Sequence, residues 1–418
     1  MTRTERTYYL VFSLYNLSWS FIGPMYALFL LSRGLDLFQM SAIPAVYWIV
    51  SFLFNVPAGA FADLAGRKLS FLLSCVVRMV AFGLYAYGRG FADFAAAEFV
   101  DALGSTLATG ALDAWAVDGM QGEGDERPTD RFFARAQMMA RTAIIGGGLA
   151  GGYLAQRDMS LPWLAAAGAF AITGIVAAVV MREVRLPAGA RAHAPRSLVR
   201  TIGHGLMVVR HTPVLLLLCG LTFAVTFATM PAVTFWQPRL TALTGEGTWL
   251  MGWIWALLNV AGFAGSAIIA RLLGRYPRHL VLGIVVLWRG VMLGVAGLAG
   301  KFGPALAGLL LMEVGFGVSE PLLQAWMNEH IAPAQRATVL SVRAMCLTLG
   351  GGLGLICIGL VARDVGIPAA WLLSAVLLVL MAPGFVILER RARATASLAA
   401  RSSQVSAQPQ RTRADLVL

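Results

Sequence analysis

Acids and arginines occur in this chain inside stretches that are otherwise apolar, and a charge in such a place is costly unless it faces water or a partner. Residues 92–118 carry Glu98, Asp101, Ser105, Thr109 and Asp113. On a helix these fall within about 120° of one another, forming one polar stripe. Residues 304–327 repeat the device with Glu313, Glu320 and Gln324, which fall within about 40°. Such stripes are expected to line water. A carboxyl group there can bind a proton from one side of a barrier and release it to the other, because desolvation raises its pKa and a neighbouring cation lowers it. The cations are Arg78 and Arg289, each in the apolar run before a stripe. Arg78 and Asp101 lie at matching depths of roughly 14–15 Å from the ends of their runs, and Arg289 and Glu313 match in the same way. Each arginine is therefore expected to neutralise a carboxylate. Two readings stand side by side: a proton switch, or an ion pair that only holds two helices together.

These residues need a frame to hold them. The 418 residues are 58% hydrophobic and 13% charged, with a mean hydropathy of +0.72, which excludes an ordinary soluble domain. About twenty apolar residues cross a bilayer, and twelve such runs are present: 8–31, 40–62, 69–88, 92–118, 132–155, 161–181, 214–238, 248–270, 279–300, 304–327, 338–362 and 367–388. The first is too long for the apolar part of a cleaved leader and is expected to remain as a span. Of the 33 lysines and arginines, 23 lie in the tails and even-numbered connections and six in the odd-numbered ones. Basic loops stay in the cytoplasm, so both termini are expected there. The net charge of +12 then reports topology, and no nucleic-acid partner is expected. Arginine outnumbers lysine 31 to 2, which fits a GC-rich bacterium and a cytoplasmic (inner) membrane.

The chain also reads as a duplication. Residues 110–118, with Trp115, align with 321–329, with Trp326, and Arg78 aligns with Arg289 at the same offset. The glycine run at 146–149 likewise aligns with 350–353. The expected domains are a six-helix bundle over 1–181, a basic cytoplasmic linker over 182–213, a second bundle over 214–389 and a disordered tail over 390–418. A unit of six spans repeated in parallel suits a transporter with its site at the midplane.

One polar stretch interrupts the early spans: Gly59, Asp63, Gly66, Arg67 and Lys68, in the order Gly-x-x-x-Asp-x-x-Gly-Arg-Lys. It resembles the signature loop between spans 2 and 3 of the major facilitator superfamily, with Phe61 and Leu64 departing from the usual residues. The resemblance implies an all-α membrane protein of twelve transmembrane helices in two pseudo-symmetric bundles. It also implies a cytoplasmic gate, in which Asp63 meets a helix N-terminus of the other half and Arg67 pairs with an acid, here Asp118. The blander reading is a tight turn with topogenic charge. Residues 147–152 partly resemble the family's antiporter motif, with Gly148 in place of its proline; close helix packing would explain the same glycines.

Aromatic and amide residues within the spans are candidates for substrate contact: Asn16, Trp19 and Tyr26; Tyr47 with its neighbour Trp48; Trp236 and Gln237; Trp253 and Asn259. Interfacial belts or helix packing are the simpler explanation for any one of them, with Asn16 and Asn259 the stronger candidates because an amide in mid-span wants a hydrogen-bond partner. No phosphate-binding loop, His-Glu-x-x-His or Gly-x-Ser-x-Gly is present, both lysines lie in loops, and the histidines lie in or beside connections. No cofactor, metal site or enzymatic activity is expected. The four cysteines show no paired spacing. The expectation is a monomeric secondary transporter exporting a small organic solute, as a drug or metabolite, against protons. A proton-coupled importer would have the same frame. A polytopic transferase would need larger external loops than these, and a non-transporting sensor would show no solute flux.

Overall fold

The computed structural model of the chain describes residues 1–124, 129–183, 207, 210, 212–245, 247–272, 275–331 and 333–407. Almost all of the expected linker lies outside them. Each of the twelve apolar runs is helical. In order, the helices are α1 (Arg3–Ser20), α2 (Tyr26–Ser32), α3 (Leu37–Ala65), α4 (Arg67–Tyr87), α5 (Phe91–Ala108), α6 (Ala111–Gly122), α7 (Asp130–Arg157) and α8 (Leu161–Val180). The second half comprises α9 (Pro213–Thr244), α10 (Thr248–Leu272), α11 (Arg278–Leu298), α12 (Phe302–His330), α13 (Pro333–Val365), α14 (Ile367–Met381) and α15 (Gly384–Ala407).

Among the described residues, nine helices are long and apolar enough to cross a membrane: α3, α4, α8 to α13, and α14 continuing into α15. Three expected spans fall outside that set. The first is divided into α1 and α2 by the turn at residues 21–25, where Pro24 removes a backbone donor. The fourth is divided into α5 and α6 at Gly110, whose φ of 77° is left-handed and suits a residue without a side chain. The fifth, α7, is continuous but carries Arg131, Arg135, Arg141 and Arg157. The Arg/Ala/Ser segment after residue 390, expected to be disordered, is helical as far as Ala407.

The two halves repeat one packing plan. In the first, α4 packs on α5 and α8, α3 on α5, and α1 on α7 and α8; in the second, α11 packs on α12 and α14, α10 on α12, and α9 on α13 and α14. Across the halves, α3 packs on α13 and α7 on α10. These two contacts exchange when the halves are exchanged, as a two-fold relation requires. Outward faces carry apolar stripes at helical spacing, such as Val76, Val80, Leu84 and Tyr87 on α4, and Ile284, Trp288, Val291, Val295 and Leu298 on α11.

Close approaches between the halves lie toward the face away from the termini. A Cβ on Gly148 would meet Trp255 at 2.3 Å, one on Gly152 would meet the Gly252 backbone at 3.1 Å, and one on Gly359 would meet the Ser41 hydroxyl at 2.0 Å. Small residues let these backbones touch. Toward the terminus face, Gly59 has open space around it, and Phe61 and Leu64 are exposed.

Candidate functional site

Two cavities adjoin inside the molecule, with Trp48 lining both. The larger, about 530 Å³, lies in the first half among Tyr15, Trp19, Tyr26, Tyr47, Arg78, Tyr85, Glu98, Asp101, Ser105 and Trp163. The smaller, about 190 Å³, lies in the second half and includes Thr229, Arg289, Phe316, Glu320 and Arg343.

The larger cavity contains the expected ion pair. Arg78 Nε donates to Asp101 Oδ1 at 2.7 Å and its Nη2 to Oδ2 at 3.2 Å, while Nη1 donates to the Tyr15 hydroxyl at 2.9 Å. The guanidinium lies over the Phe170 ring at 4.6 Å. Gly104 permits this approach, since a Cβ there would come within 2.6 Å of Arg78 Cγ. One turn from Asp101, Glu98 is only 6% exposed. It accepts hydrogen bonds from the Tyr85 hydroxyl and, at 3.2 Å, from the Tyr26 hydroxyl. No ion pair of Glu98 forms among the described residues. The Trp163 ring stacks on Tyr85 at 4.0 Å and fixes that phenol. Tyr47 and Ser105 share a hydrogen bond of 2.7 Å.

The polar stripe holds as far as Ser105. Beyond it, the break at Gly110 turns Asp113 away to accept from the Tyr8 hydroxyl at 2.6 Å.

The second expected pair does not form. Arg289 donates through Nη2 to the Thr229 hydroxyl at 2.8 Å and lies over Phe316 at 5.0 Å. Glu313 instead faces α10, where a Cβ on Gly262 would come within 3.5 Å of its Oε1. The reason is helical phase. The offset of 211 residues that superposes Arg78 on Arg289 places Asp101 on Met312 and leaves Glu313 one residue, or 100°, further round. Glu320 is held by Arg343, with bonds of 3.0 and 2.6 Å, and Gln324 donates to Glu320 at 3.2 Å. Arg343 was visible in the sequence only as an intramembrane cation. Neither its partner nor the cavity roles of Tyr85 and Trp163 were foreseen. Tyr85 stands two turns from Arg78 on the same face of α4, a signal that could have found it; Trp163 left none.

Of the aromatic and amide candidates, Trp19, Tyr26, Tyr47 and Trp48 line the larger cavity. The others are placed elsewhere. Asn16 bonds Phe12 O of its own helix at 2.8 Å, and Asn259 bonds Trp255 O at 2.9 Å. Trp236 is buried against Trp255, and Trp253 donates to the Tyr153 hydroxyl at 3.1 Å on an exposed face. Gln237 serves the backbone: its side chain donates to Gly23 O at 2.7 Å and accepts from Ala27 N at 2.8 Å. It thereby satisfies groups freed by the break between α1 and α2.

At the terminus face, Arg67 pairs with Asp118 at 2.9 Å and lies 3.9 Å from Asp63, whose side chain is exposed. Gly66 has a φ of 108°, and Lys68 donates to the last carbonyls of α8, Ala178 at 2.8 Å and Met181 at 2.6 Å. The same offset of 211 takes Arg67 to Arg278 and Asp118 to Glu329, and these two form a second pair at 2.5 Å. This pair is thus duplicated in the second half.

Two halves with one helix-packing plan, cavities that adjoin between them and a polar connection between α3 and α4 describe a transporter family. The profile of the Major Facilitator Superfamily matches residues 8–330 and 250–416. The chain belongs to the Major Facilitator Superfamily. It is an integral membrane transporter and not an enzyme. The uncharacterized facilitator YxaM of Bacillus subtilis (strain 168) is 22% identical over 383 residues, 89% of this chain and 93% of the relative. The vesicular acetylcholine transporter of Mus musculus is 24% identical over 378 residues, 87% of this chain and 68% of the relative. Among solved facilitator structures, the nucleoside transporter NupG superposes with a TM-score of 0.77 at 13% identity, covering 93% of this chain and 99% of that one. The human organic anion transporter MFSD10 gives 0.66 at 16% identity, covering 92% and 99%.

Proposed function

We propose that this facilitator exports a small organic solute in exchange for protons across a bacterial cytoplasmic membrane, with both termini in the cytoplasm. The observation that carries the reading is Glu98, buried beside the cavity, bonded to two phenols and in no ion pair among the described residues. An ionised carboxylate is costly in such surroundings, and loading it with a proton removes the cost. Arg78 and Asp101 neutralise one another next to it, so Glu98 is the free proton site of the first half. The basic terminus-face loops support the orientation. With the termini inside, the cavity is open toward the cytoplasm and shut toward the exterior by α3 on α13 and α7 on α10. Asp63 is then a gate residue in its released position, held near Arg67 rather than against the other half.

The test begins with sensitivity profiling of a host lacking its own pumps, with and without this chain, to find a solute. Organic anions and nucleosides join that panel because the structural neighbours are named for them. Everted vesicles then report direction: solute uptake that dissipates the proton gradient is expected. Proton-driven uptake into right-side-out vesicles would reverse the direction, and flux indifferent to the gradient would remove proton coupling. Glu98→Gln is expected to abolish accumulation while leaving solute exchange.

A further inference from the structure

Arg289 is a buried cation that forms no ion pair among the described residues; Glu313 is near enough to be felt electrostatically but does not bond to it. The arginine side chain lines the smaller cavity and is 2% exposed. Its bonding consists of the Thr229 contact and the Phe316 face, and its Nε has no hydrogen-bond partner. Thr229 gives its own proton to Val225 O at 2.7 Å, so it meets Arg289 only as a neutral acceptor. The residue that would supply a carboxylate by symmetry is Met312, and Glu313 faces another helix. Arg343, across the cavity, is already neutralised by Glu320. The guanidinium therefore keeps a free N–H and no bonded anion, and a buried charge without a bonded partner is unfavourable until an anion arrives. The remaining wall is largely apolar, with Leu218, Val225, Met230 and Val286, and it runs to Trp48, which also borders the larger cavity.

We propose that Arg289 anchors the anionic group of the solute, and that this solute is an organic monoanion whose apolar body lies along Trp48 toward the larger cavity. The inference rests on the reading that these cavities are the solute path. A guanidinium with free N–H groups recognises a carboxylate in a way a neutral amide cannot match, and the apolar wall selects for an attached hydrocarbon or ring.

The experiment is equilibrium binding to the full chain in lipid nanodiscs, with no proton gradient, followed by tryptophan fluorescence and calorimetry. The probes are 4-phenylbutyrate, its amide, the corresponding amine, and acetate. The carboxylate is expected to bind at least about tenfold more tightly than the amide, the scale of one lost charge-assisted hydrogen bond, with the amine and acetate weaker still. Arg289→Met is expected to erase the preference for carboxylate over amide, and Arg289→Lys to keep part of it. Met312→Asp, which supplies an internal carboxylate opposite Arg289, is expected to erase it without removing the arginine. If either variant fails to fold, the comparison of probes on the unmodified chain still decides. Absence of carboxylate binding, an amide or amine that binds as tightly, acetate that binds as tightly as phenylbutyrate, or a preference that survives Arg289→Met overturns the proposal. Because binding is measured without a gradient, loss of proton coupling in vesicles would leave this result standing, and the reverse.

Discussion

The two halves of the molecule keep the same arginine and treat it differently. Arg78 and Arg289 occupy equivalent places, and each passes over an equivalent glycine: a Cβ on Gly104 would come within 2.6 Å of Arg78 Cγ, and one on Gly315 within 2.7 Å of Arg289 Cγ. Around Arg78 the cavity supplies Asp101, with Glu98 one turn away. At the equivalent places beside Arg289 stand Met312 and Leu309, both buried and apolar. The packing of a buried arginine has thus been retained where its charge balance has not. Among the described residues, the first half holds an acid, Glu98, beside a closed ion pair, whereas the second holds Arg289 and Glu313 near one another with no ion pair between them.

Substitutions can break this comparison. The largest effect is expected at Glu98: Glu98→Gln should abolish gradient-driven accumulation, whereas Leu309→Gln at the equivalent place should leave the gradient dependence intact, both read in vesicles. Next in size is a contrast in stability. Arg78→Met strands Asp101 in a buried site and is expected to cost about 3–5 kcal/mol. Arg289→Met removes a buried guanidinium that forms no ion pair but also takes a cation from near Glu313, so its cost should be well below that of Arg78→Met, with thermal unfolding in detergent as the measure. A cost for Arg289→Met equal to that of Arg78→Met would show that Glu313 already compensates Arg289. Gly104→Ala and Gly315→Ala should each cost about 1–3 kcal/mol by overpacking, and similar values would show that the packing device is equally tight in both halves. The smallest effect is expected at the terminus face. Arg278→Ala breaks a largely exposed pair with Glu329 and should cost less than about 1 kcal/mol, with Arg67→Ala costing somewhat more because its pair with Asp118 is less exposed.

The fold was legible because lipid imposes a strong rule: a span must be apolar and helical, so twelve runs could be located from composition and spacing. The duplication was legible from Trp115 and Trp326 and from the paired arginines. Within the site, Arg78 with Asp101 was legible because depth and phase agreed. Arg289 with Glu313 failed because depth was used alone, and a difference of one residue turns a side chain by 100°. Asp113 left the stripe because a helix break resets the angular count, and Gly110 was the residue that could have announced it. Gln237 and the paired Arg343 depend on contacts between distant helices, which no local pattern encodes. The transport family is established by residues 8–330 and 250–416, while the solute is a matter of a few cavity side chains.

The amide of Gln237 has a mechanical consequence. It joins α9 to the turn between α1 and α2, and it does so toward the face away from the termini, where the halves touch. Prising that side apart pulls the amide off both peptide groups at once and exposes them. Water flowing into the widening gap is the natural replacement, so the latch weakens as it is wetted and re-forms as the gap dries.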